Sequence, residues 1–196
     1  MIVQMLNIRN PSSWTDTEIK EIATKDRQSA MEMIIRKYRD ALYYHALCIL
    51  KDEDGAYDLV QEVFIRAIRE ARFFNSDFYM KPWLYRVTSN LCFNQVRNTR
   101  RREELLNQNA RAEAQESRLS IDLFEKERRE EVMLSMESLS KEHKEVLLLR
   151  YYSDLSYAEI AQTLDVKLGT VMSRLSRARR NLLDILDNAQ DMIASP

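Results

Sequence analysis

Glycine and proline are scarce in this chain, and that scarcity restricts its possible folds more than any other feature. Only two glycines and three prolines occur among its 196 residues. Tight β-turns and hairpins depend on these residue types, whereas helices with short connections do not. Because helix-favouring leucine, glutamate, arginine, alanine and methionine are abundant, the composition predicts an all-α protein.

The hydrophobic pattern divides this all-α chain into two small helical domains joined by a linker, the C-terminal one a helix-turn-helix. Apolar residues recur every three or four positions in both domains, whereas the linker is polar and lacks an apolar stripe. The predicted segments are a lead-in with a short helix (1–26), a first domain (27–102), the linker (103–127) and a second domain (128–190).

Three helices are expected within the first domain. One follows the apolar positions of residues 30–50, the next begins at Ala56 and has Ile68 on its apolar face, and the third begins at Pro82. The core contacts expected from the third helix are Leu84, Val87, Leu91 and Val96.

The most specific motif, LSYAEIAQTLDVKLGTVMSRLSRARRNL, spans residues 155–182 and indicates a helix-turn-helix. Ser156 can cap a first helix, residues 165–167 can form a tight turn, and Thr170 can cap a second helix. The positions of the second helix expected to face DNA are Met172, Ser173, Ser176, Arg177 and Arg180. An ordinary helical hairpin with a basic exposed face is the alternative interpretation.

A second motif combines an aromatic loop with a basic helix, FFNSDFYMKPWLYRVTSNLCFNQVRNTRRR, over residues 73–102. Aromatic rings offer flat faces to unpaired bases, amides can bind base edges, and guanidinium groups can bind phosphates. The same rings could instead be core residues, above all Phe73, Phe74, Trp83 and Tyr85. Residue chemistry alone supports single-stranded DNA binding and core packing equally.

Charge and reactive residues argue against several other classes of protein. Thirty basic and 31 acidic residues nearly cancel, so only local basic clusters, around Arg97 and Arg177, can favour a polyanion. His45 and His143 have no carboxylate or cysteine at catalytic or metal-binding spacing. We therefore expect no enzymatic activity, no metal and no cofactor. Without a secretory leader or a long apolar run, we also expect a cytoplasmic protein with no membrane insertion.

Three segments together resemble the extracytoplasmic-function (ECF) group of bacterial sigma factors. They are DLVQEVFIRAIREA at 58–71, WLYRVTSNLCFNQVRNTRRR at 83–102 and the helix-turn-helix motif at 155–182. The resemblance covers about residues 27–102 and 128–187, in the order of that family and with a linker between them. It implies a promoter-recognition subunit of RNA polymerase.

For the first domain, the resemblance implies the role of sigma domain 2. This domain binds the clamp helices of the largest subunit of core RNA polymerase and melts the minus-ten promoter element. The implied polymerase-binding residues are Asp58, Gln61, Glu62 and Phe64. The implied minus-ten residues are Phe78, Tyr79, Trp83, Arg86, Asn90, Asn94, Arg97, Arg100 and Arg101.

For the second domain, the resemblance implies the role of sigma domain 4, which reads the minus-thirty-five promoter element and contacts the flap of the second-largest subunit. The implied DNA-binding residues are Arg150, Thr170, Met172, Ser173, Arg174, Ser176, Arg177 and Arg180. An anti-sigma factor that covers these faces is a further implied partner.

Two other classes of protein explain less of the sequence. A stand-alone helix-turn-helix repressor or activator would account for residues 155–182, but not for the DLVQEVF segment or the aromatic loop. A helical enzyme would need a catalytic or metal-binding cluster, and the sequence offers none at a suitable spacing. Binding to core polymerase without promoter DNA would separate a sigma factor from a repressor.

Overall fold

The computed structural model describes residues 14–106, 135–136 and 138–194, and the regular elements in these ranges are all helical. The prediction of an all-α fold is confirmed for this part of the chain. Contacts divide the chain into two units, Met1–Arg101 and Arg102–Pro196. Most of the predicted linker lies outside the described residues. None of the described helices is both long and apolar enough to cross a membrane.

The described part of the first unit has four helices: α1 (Asp16–Ala23), α2 (Arg27–Leu50), α3 (Glu53–Arg69) and α4 (Met80–Leu106), the last of which continues past Arg101. A capping box begins α1, where the Thr15 hydroxyl accepts from the Glu18 N–H and the Glu18 carboxylate accepts from the Thr15 N–H. α3 begins at Glu53 instead of Ala56, because an acidic first turn suits a helix N-terminus. α4 continues to Leu106, into the predicted linker.

α2 is the central element of the first unit, since both α1 and α3 pack against it. The predicted apolar face of α2 is largely buried. On α4, Leu84 is fully buried as expected, but Val87, Leu91 and Val96 are only half-buried. The buried stripe of α4 consists of Met80, Leu84, Tyr85, Thr88, Ser89 and Cys92. This stripe contains small polar residues, and hydrophobic periodicity does not detect those.

A buried histidine joins α2 to α4. His45 is 1% exposed, and its Nε2 lies 2.9 Å from Ser89 Oγ, within hydrogen-bond distance. Its ring also meets the ring of Tyr85 edge-on, with the centroids 5.4 Å apart. Burial lowers the pKa of His45 to about 4, so the imidazole is neutral in the folded protein at neutral pH.

The second unit contains α5 (Lys141–Leu147), a π-helical segment (Leu148–Tyr152), α6 (Tyr157–Leu164) and α7 (Leu168–Ala194). Ser140 caps α5, since its hydroxyl accepts from the His143 N–H. The last turn widens, however, and the Ser153 N–H donates to the Leu148 carbonyl at its end.

α6 and α7 form the predicted helix-turn-helix. Ser156 caps α6 in a capping box with Glu159. Residues 165–167 connect the two helices, and Asp165 ends α6 in the left-handed conformation with φ at 53°. The short connection keeps α6 packed against α7.

The expectation that Thr170 caps α7 is wrong. α7 already begins at Leu168, and the Thr170 N–H donates to the Lys167 carbonyl as part of the first turn. Thr170 is therefore a helical residue, and its half-buried side chain lies beside the core position Val171 along the chain. The core of this unit also includes Ile160, Leu175 and Ala178.

Candidate nucleic-acid interface

α7 has an exposed polar face on the side away from its core residues. Val171, Leu175 and Ala178 are at most 1% exposed and hold the helix against the rest of the unit. The exposed positions are Met172, Ser173, Ser176, Arg177 and Arg180. Because residues three or four apart share a face of a helix, these side chains can enter one groove of a DNA duplex together.

Arg177 is held in place by Ser173 on this face. Its Nε donates to the Ser173 carbonyl and one terminal nitrogen donates to the Ser173 hydroxyl, both at 3.3 Å. The Ser173 hydroxyl in turn donates to the Thr170 carbonyl at 3.0 Å. A guanidinium group has five N–H donors, so this arrangement orients Arg177 and leaves donors for a base or phosphate.

Arg150 makes contacts within the fold. Its guanidinium donates to the Leu155 carbonyl at 3.0 Å and lies over the Tyr157 ring, 5.6 Å from the centroid. It also approaches the Asp154 carboxylate at 3.7 Å. Arg150 therefore holds the segment that leads into α6, although its side chain is still 36% exposed.

Arg174 and Thr170 are also less exposed than the sequence interpretation assumed. Arg174 is half-buried, and its charge affects Glu145 of α5. Burial raises the pKa of Glu145, whereas the positive charges of Lys141 and Arg174 lower it. Thr170 is half-buried in the first turn of α7. Both side chains are thus less exposed than the other predicted residues of α7.

α4 carries a second exposed stripe, which we call the α4 stripe. Its members follow one another at spacings of three or four residues, so they lie along one side of the helix. They are Trp83, Arg86, Asn90, Asn94, Arg97 and Arg101. Arg97 donates to the Asn94 side-chain oxygen at 3.2 Å. Arg100 lies on the same helix, but its side chain is outside the described part of the structure.

The α4 stripe changes in exposure along its length. Trp83 and Arg86 are half-buried, whereas Asn90, Asn94 and Arg97 are exposed. Amides that can bind base edges thus lie beside guanidinium groups that can bind phosphates, with an indole at the end of the stripe nearest the aromatic loop. These residues were predicted one by one from the sequence, and the structure shows that they share one side of α4.

The aromatic loop before α4 separates into a packed cluster and one exposed ring. Phe73 is fully buried and contacts Phe74, Phe78 and Trp83, with centroids 5.2, 5.6 and 5.5 Å away. Phe78 and Trp83 are half-buried in this cluster. Tyr79, in contrast, is 63% exposed. Of the three predicted minus-ten aromatics, Tyr79 is the one whose ring is accessible without repacking.

The outer face of α3 contains most of the predicted polymerase-binding residues. Asp58 and Gln61 are exposed, and Glu62 is half-buried and accepts from Arg66 Nε at 2.8 Å. Phe64 does not belong to this face, because its ring is 6% exposed and packs in the core. Its assignment as an accessible docking residue is therefore corrected.

Two isoleucines and a tyrosine extend this outer face, and the sequence interpretation missed them. Ile65 and Ile68 are 40% and 54% exposed, although Ile68 was expected in the core, and Tyr57 is 57% exposed. Ile65 and Ile68 follow Asp58 and Gln61 at helical spacing, which is the signal that could have identified them. We call Tyr57, Asp58, Gln61, Glu62, Ile65 and Ile68 the α3 face.

No group of three or more metal-ligating side chains occurs within the described residues. Cys92 is fully buried in α4, and burial raises the pKa of its thiol to about 12. Cys48 is half-buried. The side chains that this structure brings together on its surface are those suited to binding nucleic acid and protein.

Two sequence families match the chain: Sigma-70 region 2 over residues 34–102 and Sigma-70 region 4 over residues 129–182. The ECF RNA polymerase sigma factor SigE of Mycolicibacterium smegmatis is 34% identical over 178 residues, which cover 84% of this chain and 65% of that protein. The ECF RNA polymerase sigma-E factor of Escherichia coli K12 is 31% identical over 174 residues, 84% of this chain and 91% of that protein.

Two solved structures share the fold. The sigma factor RpoE of Bartonella quintana, solved with the anti-sigma factor NepR, has a TM-score of 0.61 at 25% identity and covers 80% of this chain and 96% of its own. CnrH, solved with the cytosolic domain of CnrY, has a TM-score of 0.66 at 22% identity, with 88% and 97% covered. Together with the matched regions, this fold defines a transcription initiation factor of the sigma-70 class. The chain belongs to the extracytoplasmic-function family of bacterial RNA polymerase sigma factors.

Proposed function

We propose that this ECF sigma factor opens promoters by capturing the unpaired minus-ten strand on the α4 stripe and Tyr79. The observation that carries the proposal is the presence of three chemistries along α4 and at the residue just before it. Tyr79 offers an exposed ring, Asn90 and Asn94 offer amides, and Arg97 offers a cation. Single-stranded DNA is bound by this combination, since bases stack on rings while cations follow the phosphates.

The second unit supplies the duplex reader in this proposal. The exposed face of α7 enters the major groove at the minus-thirty-five element, with Arg177 oriented by Ser173. Arg180 adds an exposed positive charge that can bind a phosphate. Residues 103–127 include the end of α4 and otherwise serve as the tether between the two readers.

Core RNA polymerase is the protein partner, and the α3 face is its proposed docking surface. Ile65 and Ile68 offer exposed apolar area, and Asp58 and Gln61 beside them offer polar contacts. Such a mixture of an apolar centre and polar surroundings is common where proteins associate. The proposed site of action is therefore the bacterial cytoplasm, where RNA polymerase and promoter DNA are found.

Strand opening in this proposal needs no nucleotide hydrolysis by the chain. Capture of unpaired bases shifts the equilibrium toward the open promoter, because the sigma factor makes these contacts only with the unpaired strand and not with the closed duplex. Promoter opening should therefore proceed with core polymerase and this chain alone, before any nucleotide is added. A requirement for a hydrolysable nucleotide at the opening step would contradict this part of the proposal.

In vitro transcription on a promoter library tests the division of roles. Core polymerase with the wild-type chain should start specific transcripts, and absence of such transcripts would refute the function. Arg177→Ala should change the preferred upstream bases, whereas Asn90→Ala should change the preferred downstream bases. Each loss should cost about 1–3 kcal/mol of discrimination at the affected base, roughly a fivefold to 150-fold change in preference.

Arg39→Ala is a suitable control for these variants. Arg39 lies on α2, is exposed and pairs with the neighbouring Asp40 at 2.9 Å, outside both proposed DNA-binding faces. Its removal should leave both base preferences unchanged. Equal effects of Arg39→Ala and Arg177→Ala would reduce the role of Arg177 to a general charge effect.

An anti-sigma factor is a proposed regulatory partner. Support comes from the two solved relatives, since RpoE is bound to the anti-sigma factor NepR and CnrH to the cytosolic domain of CnrY. In this chain the partner would have to cover the α3 face or the DNA-binding faces in order to inhibit. Repeated purification of the chain from its native cell without any regulator would count against this partner.

A further inference from the structure

Helix α1 is tied to the aromatic loop by a single lysine. The Nζ of Lys20 donates to the Ser76 carbonyl at 3.0 Å and to the Phe78 carbonyl at 2.7 Å. These two carbonyls flank Asp77, and the second one directly precedes Tyr79. Lys20 therefore fixes the backbone of the loop next to the exposed tyrosine.

Lys20 can hold the loop because α1 is itself anchored. Ile19, beside Lys20 in sequence, is fully buried. At the start of α1, Lys37 of α2 donates to the Trp14 carbonyl at 2.6 Å and to the Asp16 carboxylate at 2.7 Å. The Tyr38 hydroxyl donates to the same carboxylate at 2.7 Å. The lysine thus projects from an element fixed to the core of the unit.

A second cation holds the other end of the same loop. Arg27, the first residue of α2, donates to the Glu70 carbonyl at 3.0 Å. Its guanidinium also lies over the Phe74 ring, 5.3 Å from the centroid. The loop between α3 and α4 is therefore fastened at Glu70 by Arg27 and at Ser76 and Phe78 by Lys20.

We propose that α1 is a positioning element for minus-ten recognition, in which Lys20 holds the aromatic loop so that Tyr79 is oriented toward the incoming strand. This proposal rests on the proposed function of Tyr79 and the α4 stripe. A loop fixed before binding does not have to be ordered by the DNA, so less of the binding free energy is lost. Lys20 is a positioning residue, because it acts through the backbone of the loop.

Lys20→Met tests the role of Lys20, since it keeps an unbranched chain of similar length and removes the donor. Three further variants complete the set: Lys20→Arg retains a donor, Lys25→Met removes an exposed lysine just beyond α1, and Tyr79→Ala removes the proposed base contact. Each is assembled with core polymerase and compared on two promoters. One promoter is fully paired, and the other carries a minus-ten element that is already unpaired by mismatches.

Lys20→Met should lower the rate of open-complex formation on the paired promoter about fivefold to tenfold, which lies within the range expected for losing one ordinary hydrogen bond. It should also reduce discrimination between the preferred and a substituted minus-ten base, while dependence on the minus-thirty-five element stays unchanged. Lys20→Arg should restore most of both properties. Lys25→Met should match the wild type. The thermal unfolding midpoint of Lys20→Met should fall by no more than about 4–8 °C, in line with the loss of one hydrogen bond.

The outcomes separate the two proposals. If Tyr79→Ala loses minus-ten discrimination while Lys20→Met retains it, the positioning role of α1 is wrong and the proposed function stands. If Tyr79→Ala retains discrimination, the proposed role of this loop fails, and the role of Lys20 fails with it. A general folding defect would lower dependence on both promoter elements, and that pattern in Lys20→Met would also overturn the positioning role.

Discussion

His45 shows how one enclosed side chain can determine the acid sensitivity of a whole unit. It is buried between α2 and α4 with its Nε2 against Ser89 Oγ, and burial lowers its pKa to about 4. In the unfolded chain the same imidazole takes up a proton below about pH 6.5. Between these two values the unfolded state binds more protons than the folded state, so acid favours unfolding.

We expect the first unit to lose about 2 kcal/mol of unfolding free energy between pH 7 and pH 5 because of His45. His45→Gln should remove this part of the pH dependence, since glutamine does not titrate. Urea unfolding of both proteins at the two pH values measures the difference. Equal pH dependence in wild type and variant would show that His45 is not the group responsible.

At the scale of a single helix, α3 has two faces that differ in exposure. Its inner face, which includes Phe64, belongs to the core, and its outer face presents Ile65 beside Gln61. Phe64 and Ile65 are adjacent and both apolar, yet their side chains differ in exposure from 6% to 40%. Substitutions at these neighbouring positions should therefore affect different properties of the protein.

Phe64→Ala should lower the unfolding free energy of the first unit by about 3–5 kcal/mol, because it leaves a cavity in the core. Ile65→Ala should change stability by no more than about 0.5 kcal/mol and weaken binding to core polymerase. Denaturant unfolding and a fluorescence-based core-binding assay measure the two effects. Unchanged core affinity in Ile65→Ala would remove that isoleucine from the docking surface.

The helices themselves follow from the sequence better than their boundaries do. The cap at Ser156 and the turn at 165–167 depend on neighbouring residues, and both form as predicted. The start of α3 was predicted three residues too late, although the acidic residues before Gly55 favour a helix N-terminus. The widened turn after α5 has no sequence signal of comparable strength.

The sequence predicted the chemical types of the site residues, but not how exposed each side chain is. Periodicity correctly placed Arg177 and Ser176 on the outside of α7. For the aromatic loop, composition could not distinguish a ring that stacks on other rings from one that is exposed. Phe78 and Tyr79 are adjacent, and only tertiary packing against Phe73 assigns the first to a cluster and leaves the second accessible.

Across the whole molecule, a net charge of −1 conceals two cationic faces. Arg97 lies on the α4 stripe of the first unit and Arg180 on the exposed face of α7 in the second. Local cations can bind phosphates even when the chain as a whole is nearly neutral. We expect this distribution to limit non-specific attraction to DNA, while each of the two proposed DNA-binding faces keeps its positive charge.

We expect Arg97→Ala and Arg180→Ala each to reduce the slope of log affinity against log salt concentration by about one, as for the loss of one phosphate contact. The two reductions should add in the double variant, because the residues belong to different units. Promoter binding by the assembled holoenzyme at several salt concentrations measures the slopes. A double variant no different from either single variant would refute separate phosphate contacts.

The buried thiol of Cys92 can report when the first unit opens, because it reacts only after it becomes exposed. With its pKa raised to about 12 by burial, almost no thiolate is present near neutral pH, and no reagent reaches the sulfur while the fold is closed. In a Cys48→Ser variant, the rate at which a thiol reagent labels Cys92 then measures how often the unit opens. Oxidants that strike exposed thiols would leave this one intact for as long as the fold stays closed.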